Sequence, residues 1–430
     1  MNEPLSGLVV VEMTVAIQGP AAGLYLRDMG AEVIKVEPPI GDPNRYARGV
    51  GNDTPAEAPG PQFVAVNRGK RSVCVDLTTE LGSKAVHALL QDADVFLTNY
   101  RSAALERLGL GYADLQARYP DLVYASVNGF GPRGPDTHKA MLDGAAVARG
   151  GLASMTGFAD APLLPGATIG DTSGAMQLAL GVVTALLARE RHGKAQRVQT
   201  SALGTQLWLQ QWELTHVAMT GARLQPVGAH HPNIRGPYGV YRTRDGGAIM
   251  LAQTMDAEAW DAFCIFAELP ELAFDPRWQT PGQRLGEGVS DADSLEIRAK
   301  LADAFAARTA EEWDAFLRTQ PEIIFERVRD WHEVLEDEQN LANDYIIAVD
   351  VPHVGQVRTV GNLVTLSETP GSVKGGPPLL GEGNAELLSR AGLTLAEVET
   401  VTQQAVQARE AAFAALLGAA ATAGGPSESS

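Results

Sequence analysis

Leu8-Val9-Val10-Val11-Glu12-Met13 and Ala31-Glu32-Val33-Ile34-Lys35-Val36-Glu37 decide the fold of this chain. Each is an apolar run of strand length. Gly19-Pro20 follows the first, residues 20–29 carry Leu24 and Leu26 at helical spacing, and Gly30 ends that helix. Strand, helix and strand this close together form a βαβ unit, which predicts a parallel sheet. Working outward, Arg71-Ser72-Val73-Cys74-Val75-Asp76-Leu77 reads as a third strand, with a helix at 80–91 after it. Residues 94–99 and 122–127 read as the fourth and fifth strands. Ligands of such sheets sit beyond the carboxyl ends of the strands, which points to the segments starting at Gln18, Asn99 and Asn128.

Beyond the sheet, residues 143–156 read as a helix with an internal Gly150-Gly151 pair, and a Trp-rich helix is expected at 203–220. Aromatics striped along that helix (Trp208, Trp212) read as core. The Pro- and Gly-containing stretch 221–237 marks a domain boundary. The domains expected are a large N-terminal part at 1–220, a small domain at 238–330, a return segment at 331–416 and a disordered tail at 417–430. A hairpin over 240–252 and helices at 256–267, 293–307 and 310–318 build the small domain.

The chain has 430 residues, too many for one simple core, and two lobes are expected. Its formal net charge of −18 argues against a nucleic-acid surface. The start lacks the basic, then apolar pattern of a signal peptide, and no uninterrupted apolar stretch nears the roughly 18 residues of a membrane span. Two cysteines, Cys74 and Cys264, make neither a disulfide framework nor a metal quartet, so a cytoplasmic protein without a metal is expected.

One stretch concentrates the chemistry: Ile169-Gly170-Asp171-Thr172-Ser173-Gly174-Ala175-Met176. An acid stands at the start of a long apolar helix that ends at His192-Gly193 and is expected to be nearly all buried. Asp171 reads either as an N-cap or as a nucleophilic carboxylate kept ionised by the positive helix end. Gly129-Phe130-Gly131-Pro132-Arg133-Gly134 matches a dinucleotide fingerprint, but Pro132 and Pro135 block the helix it requires, so it reads as a turn. His230-His231 reads as a linker pair, because adjacent side chains rarely reach one ion. Basic clusters near strand ends suit a phosphorylated, nucleotide-like ligand: Asn67-Arg68-Gly69-Lys70-Arg71, Asn99-Tyr100-Arg101 and Arg107.

Taken in order along the chain, these segments resemble the class III CoA-transferases of the CaiB/BaiF type, which include formyl-CoA transferases. The resemblance spans about residues 5–400. It is carried by Leu5 to Val10, Gln18-Gly19-Pro20, Gly30 to Glu37, Asn67 to Ser72, Ala93 to Asn99, Arg107 to Tyr112, Gly170-Asp171, Pro237-Tyr238-Gly239 and Leu379 to Glu382. It implies an α/β fold: a large Rossmann-like parallel-sheet domain, a smaller α+β domain, and an interlocked, ring-like homodimer. It also implies transfer of CoA from an acyl-CoA to a free carboxylic acid, with acyl-CoA as substrate and no permanently bound cofactor. Asp171 would attack the thioester and pass through a mixed anhydride and an aspartyl-CoA thioester. Gln18, Asn67, Lys70, Arg71, Asn99, Tyr100, Arg101, Arg107 and Lys139 become candidate CoA or substrate contacts, and the amides near Gly150 and Gly151 candidate oxyanion donors.

Related racemases carry a His-Asp pair where this chain has Leu142-Asp143. Two opposed bases are therefore not expected. The alternatives to transfer are an acyl-CoA epimerase or intramolecular CoA shift on the same fold, and a non-catalytic CoA-binding protein.

Overall fold

The computed structural model describes residues 3–51 and 53–423. The chain divides into two compact units. One comprises Met1–Ala146, Thr168–Gln206 and Asp337–Ser430, the other Val147–Ala167 and Leu207–Glu336.

The first unit is built on six parallel strands: β1 (Val9–Met13), β2 (Glu32–Glu37), β3 (Arg71–Cys74), β4 (Val95–Thr98), β5 (Val123–Asn128) and β6 (Arg197–Ser201). They lie in the order β3-β2-β1-β4-β5-β6. The central strands are apolar throughout because helices cover both faces. On one face Val11, Ile34, Val73 and Phe96 pack with Leu89, Leu387 and Val401. On the other, Val10, Val33, Val95 and Ala125 pack with α1 (Gln18–Asp28) and α2 (Ile169–His192), through Leu26, Leu178 and Val182. β6 is a strand that the sequence reading lacked. Its Arg-Val-Gln-Thr-Ser run has no apolar signature, because an edge strand buries little.

β3 ends three residues earlier than expected. There the return segment takes over: the Asn384 carboxamide accepts from Cys74 N–H at 2.8 Å and donates to the Cys74 carbonyl at 3.0 Å. A side-chain amide thus continues the ladder. The return segment also holds a hairpin, Ile346–Val351 with Gly355–Val360, and a helix, Leu395–Ala423. That helix runs past residue 416, so 417–423 are helical rather than tail, and 424–430 lie outside the described residues.

The helix α2 differs from its expected burial. Ala175, Leu178, Ala179, Val182 and Ala185 face the sheet, but Met176, Leu180 and Leu187 are 72, 59 and 50% exposed. It is long and apolar enough to cross a membrane by length and composition. One stripe nevertheless packs on a sheet, and the helix ends at Gly193 with φ +63.

The second unit holds a three-stranded antiparallel sheet of Gly239–Arg242, Ala248–Thr254 and Ile323–Arg327. Its core is aromatic: Trp260, Phe263, Phe305 and Trp313 are buried together. Asp256, Ser290 and Thr309 cap its helices, as their positions predict. The unit takes in 147–167, 207–237 and 331–336 as well as the expected 238–330. Two expected helices are each broken in two. Gly151, at φ +94, separates Asp143–Arg149 from Leu152–Met155. Gln210 separates Ala202–Leu209 from Gln211–Thr220. Trp208 and Trp212 are 60 and 52% exposed, so the aromatic stripe is not core.

Candidate active site

The sheet order positions the site. β1 and β4 are neighbours, and the chain leaves them toward opposite sides of the sheet, so their carboxyl ends flank the crevice where such folds bind ligands. Gln18 follows β1 and Asn99 follows β4. Sequence separation hides this pairing. The structure joins Asn99 to the segment before Gln18: Val15 N–H donates to Asn99 Oδ1 at 2.9 Å, and Asn99 Nδ2 donates to the Val15 carbonyl at 2.8 Å.

Asp171 is the third residue of α2, not its cap. The N-cap position is Thr168, whose side chain makes no capping bond. The capping is done by Asp143, which lies 28 residues upstream of Asp171. Its Oδ1 accepts from Gly170 N–H at 2.7 Å and from Asp171 N–H at 3.0 Å. A Cβ on Gly170 would stand 3.0 Å from that oxygen, so glycine lets the cap approach. The helix start is tied further by Ser173 Oγ, 3.2 Å from Thr205 Oγ1, and by Gln206 Nε2, which donates to Ser173 Oγ at 3.3 Å.

With both amides taken by Asp143, no described residue donates a hydrogen bond to the Asp171 carboxylate. Burial, then the like charge of Asp143, push its pKa up to about 6. Burial and Asp143 thus act against the ionised form that the helix end favours. Asp171 is harder to ionise than an ordinary aspartate, though it remains mostly charged at neutral pH.

Gln18 opens α1 and is 5% exposed. A Cβ on Gly174 would stand 2.1 Å from Gln18 Nε2, so the carboxamide lies against the helix one turn after Asp171. Among the described residues that Nε2 has no hydrogen-bond partner.

The other candidates separate into two groups. Asn67 and Lys70 are corrected: their polar atoms are spent inside the protein. Lys70 Nζ donates to Glu12 Oε2 at 2.7 Å, the Pro20 carbonyl at 2.7 Å and Asn67 Oδ1 at 3.0 Å. Asn67 Nδ2 donates to the Phe63 carbonyl. Lys70 belongs to a buried network of Glu12, Lys35, Glu37, Asp42 and Arg45, three acids and three bases, and burial pulls its pKa down to about 8. Arg68, from the same basic stretch, pairs with Asp28 at 2.7 Å. Arg71 pairs with Glu386 at 2.6 Å on the surface. Burial pushes the Tyr100 hydroxyl up to about 12.

Arg101, Arg107 and Lys139 are exposed. Among the described residues Arg101 and Arg107 have no ion-pair partner, while the Lys139 ammonium sits 5.6 Å over the Phe130 ring. Gly150 and Gly151 belong to the second unit. The Gly151 amide donates to the Ala148 carbonyl at 3.3 Å, and the Gly150 carbonyl accepts from Gln210 Nε2 at 3.0 Å. Asp143 is the neighbour that sequence reasoning missed as a working residue. Only its place beside an absent histidine drew notice, and nothing local shows an acid capping a helix that far along the chain.

The remaining motifs behave as turns and linkers. Gly131 N–H donates to Asn128 Oδ1 at 2.7 Å, closing a turn, and Gly131 and Gly134 have φ +97 and +101. His230 Nδ1 lies 3.0 Å from the Tyr238 carbonyl, whereas His231 stacks on Trp212 and points Nε2 at Glu213. A cavity of about 610 Å³ is lined by the 346–360 hairpin and residues 370–376, and holds none of the candidate site residues.

Residues 5–384 match the family model described as CoA-transferase family III. The chain is 32% identical to a succinyl-CoA:mesaconate CoA-transferase of Haloarcula hispanica, over 90% of this chain and 96% of that one. It is 30% identical to a cinnamoyl-CoA:phenyllactate CoA-transferase of Clostridium sporogenes, over 92% and 95%. A crystal structure of a CaiB/BaiF family protein from Brucella suis superposes with a TM-score of 0.80 at 28% identity, covering 91% of this chain and all of that one.

Proposed function

The chain belongs to CoA-transferase family III, and from that premise we propose that it moves CoA from an acyl-CoA to a free carboxylic acid through covalent attack by Asp171. The observation that carries the proposal is the Asp171 carboxylate itself: half-buried, without a hydrogen-bond donor among the described residues, and ionised above a pKa of about 6. A carboxylate is a weak nucleophile in water, and removing its donors raises its reactivity.

In the first step an Asp171 oxygen bonds to the thioester carbonyl carbon. The carbon–sulfur bond breaks, and CoA thiolate leaves a mixed anhydride. The thiolate then attacks the aspartyl carbonyl, releasing the donor acid and forming an aspartyl-CoA thioester. The acceptor carboxylate attacks that thioester, the carbon–sulfur bond breaks, and CoA thiolate is released as a second mixed anhydride forms between Asp171 and the acceptor. Attack of the thiolate on the acceptor's acyl carbon gives the new acyl-CoA and returns Asp171 as carboxylate. Each step exchanges groups of similar energy, so no step needs a cofactor. Gln18 offers a donor for the developing oxyanion, and Arg101, Arg107 and Lys139 offer cations to the phosphates of CoA.

The exposed apolar stripe of α2 (Met176, Leu180, Leu187) supports a homodimer, since stripes of that kind on a monomer mark interfaces.

The test is a mass-spectrometric screen of acyl-CoA donors against mono- and dicarboxylic acids. Succinyl-CoA is the first donor, because relatives at 30–33% identity carry it in their names. Exchange that Asp171→Ala abolishes, with hydroxylamine labelling Asp171 only after donor is added, supports the proposal. Near-normal exchange in that variant sinks it.

A further inference from the structure

The loop joining β1 to α1, residues 14–17, ends on Gln18, and its backbone is gripped from two sides. From the end of β4, the Asn99 carboxamide takes both the N–H and the carbonyl of Val15, at 2.9 and 2.8 Å. From β2, Lys35 Nζ donates to the Thr14 carbonyl at 2.9 Å and stands 3.1 Å from Asp42. Asp42 Oδ1 in turn accepts from Ala16 N–H at 3.4 Å. Lys35 and Asp42 are fully buried. Between these two grips Ala16 has φ +65, a left-handed conformation that alanine rarely adopts. Such backbone persists only where the surroundings over-determine it.

The strained loop delivers one thing: the Gln18 carboxamide against Gly174, with a buried Nε2 that has no partner among the described residues. A buried donor without a partner is rare in folded proteins and marks a place where a partner arrives. We propose that Asn99 and the Lys35–Asp42 pair are positioning residues that hold the loop at Ala16 so that Gln18 presents its amide to the carbonyl oxygen of the acyl group reacting at Asp171. This rests on the transferase reading above. It also changes the part expected of Asn99, from a ligand contact to a grip on the backbone. The Gln18 amide would work in the transition state, where the oxygen carries most charge, so the grip should act on kcat rather than on binding.

The experiment is a double-mutant cycle in kcat between Asn99→Ala and Gln18→Ala, run with the donor and acid pair of highest turnover in the screen. Each single variant is expected to lose about 100-fold in kcat, the low end for removal of one oxyanion donor. The double variant is expected to lose no more than Gln18→Ala alone, and KM for the acyl-CoA to move less than about threefold, since residues acting as a unit are non-additive. Multiplied losses would overturn the proposal, as would an Asn99→Ala variant that raises only KM.

Gly174→Ala provides an arm that leaves both grips intact. It displaces Gln18 Nε2 and should reproduce the Gln18→Ala loss, yet cost nothing further in the Gln18→Ala background. A full further loss there counts against the proposal even if Asn99→Ala fails to fold. Asp171→Asn separates the two readings. Exchange that survives in it removes the transferase mechanism, whereas additive cycles beside an inactive Asp171→Asn remove only the positioning role.

Discussion

Two groups of charge lie in the first unit, one buried and one half-buried, and they are treated oppositely. In the network of Glu12, Lys35, Glu37, Asp42, Arg45 and Lys70, three acids meet three bases, with contacts of 2.7 to 3.3 Å. At the start of α2, two acids, Asp143 and Asp171, share one helix end. Asp143 takes both amides there and Asp171 takes none. The first arrangement neutralises charge and makes structure. The second leaves one carboxylate partly desolvated beside a like charge, the state from which the proposed attack would start. Proximity to strand ends does not distinguish the two. What distinguishes them is whether each polar atom has a partner.

The comparison breaks most sharply at Asp171. Asp171→Asn should reduce exchange by about 10⁴-fold or more, the scale of losing a covalent nucleophile. It should also raise Tm at pH 7 to 8. Because the folded pKa, about 6, lies above the unfolded value, the stability tied to this group is present below the unfolded pKa and lost as pH rises through 6. The gain in Tm should therefore fade toward pH 4, and thermal melts at both pH values check it. Next in size, Lys70→Met should destabilise by about 3–5 kcal/mol, the cost of stripping a partner from a buried acid. The molecules that still fold should keep their KM for acyl-CoA. A tenfold rise in KM at unchanged Tm would return Lys70 to the ligand site.

Asp143→Asn tests the other half of the comparison. It keeps an Oδ1 for both amides and removes the like charge, so the acid limb of kcat/KM should move from near pH 6 to lower pH, as a pH–rate profile would record. An unmoved limb would mean burial alone sets the pKa. The smallest effects on stability belong to the surface cations. Arg101→Ala and Arg107→Ala should leave denaturant midpoints within about 0.5 kcal/mol. They should still raise KM for acyl-CoA, with a steeper salt dependence in the wild type than in either variant.

The βαβ unit at 8–37, the parallel sheet, the antiparallel hairpin of the second unit and the long helix ending at Gly193 were legible in the sequence, because each depends on local period and turn chemistry. Asp171 was legible as a candidate for the same reason: an acid between glycines at a helix start is a local pattern. The neighbours that give it character were not. Asp143 reaches it across 28 residues, Asn99 grips Val15 across 84, and Asn384 completes the ladder at Cys74 across 310. Residue type alone suggested phosphate contacts at Lys70 and Asn67, whereas packing committed both to Glu12 and its surroundings. The sequence by itself determined the central strands and the long helices, and with them a carboxylate at the head of a helix. Only the tertiary structure decided which polar groups are satisfied, because a hydrogen bond depends on distances between atoms that the chain brings together only when it folds.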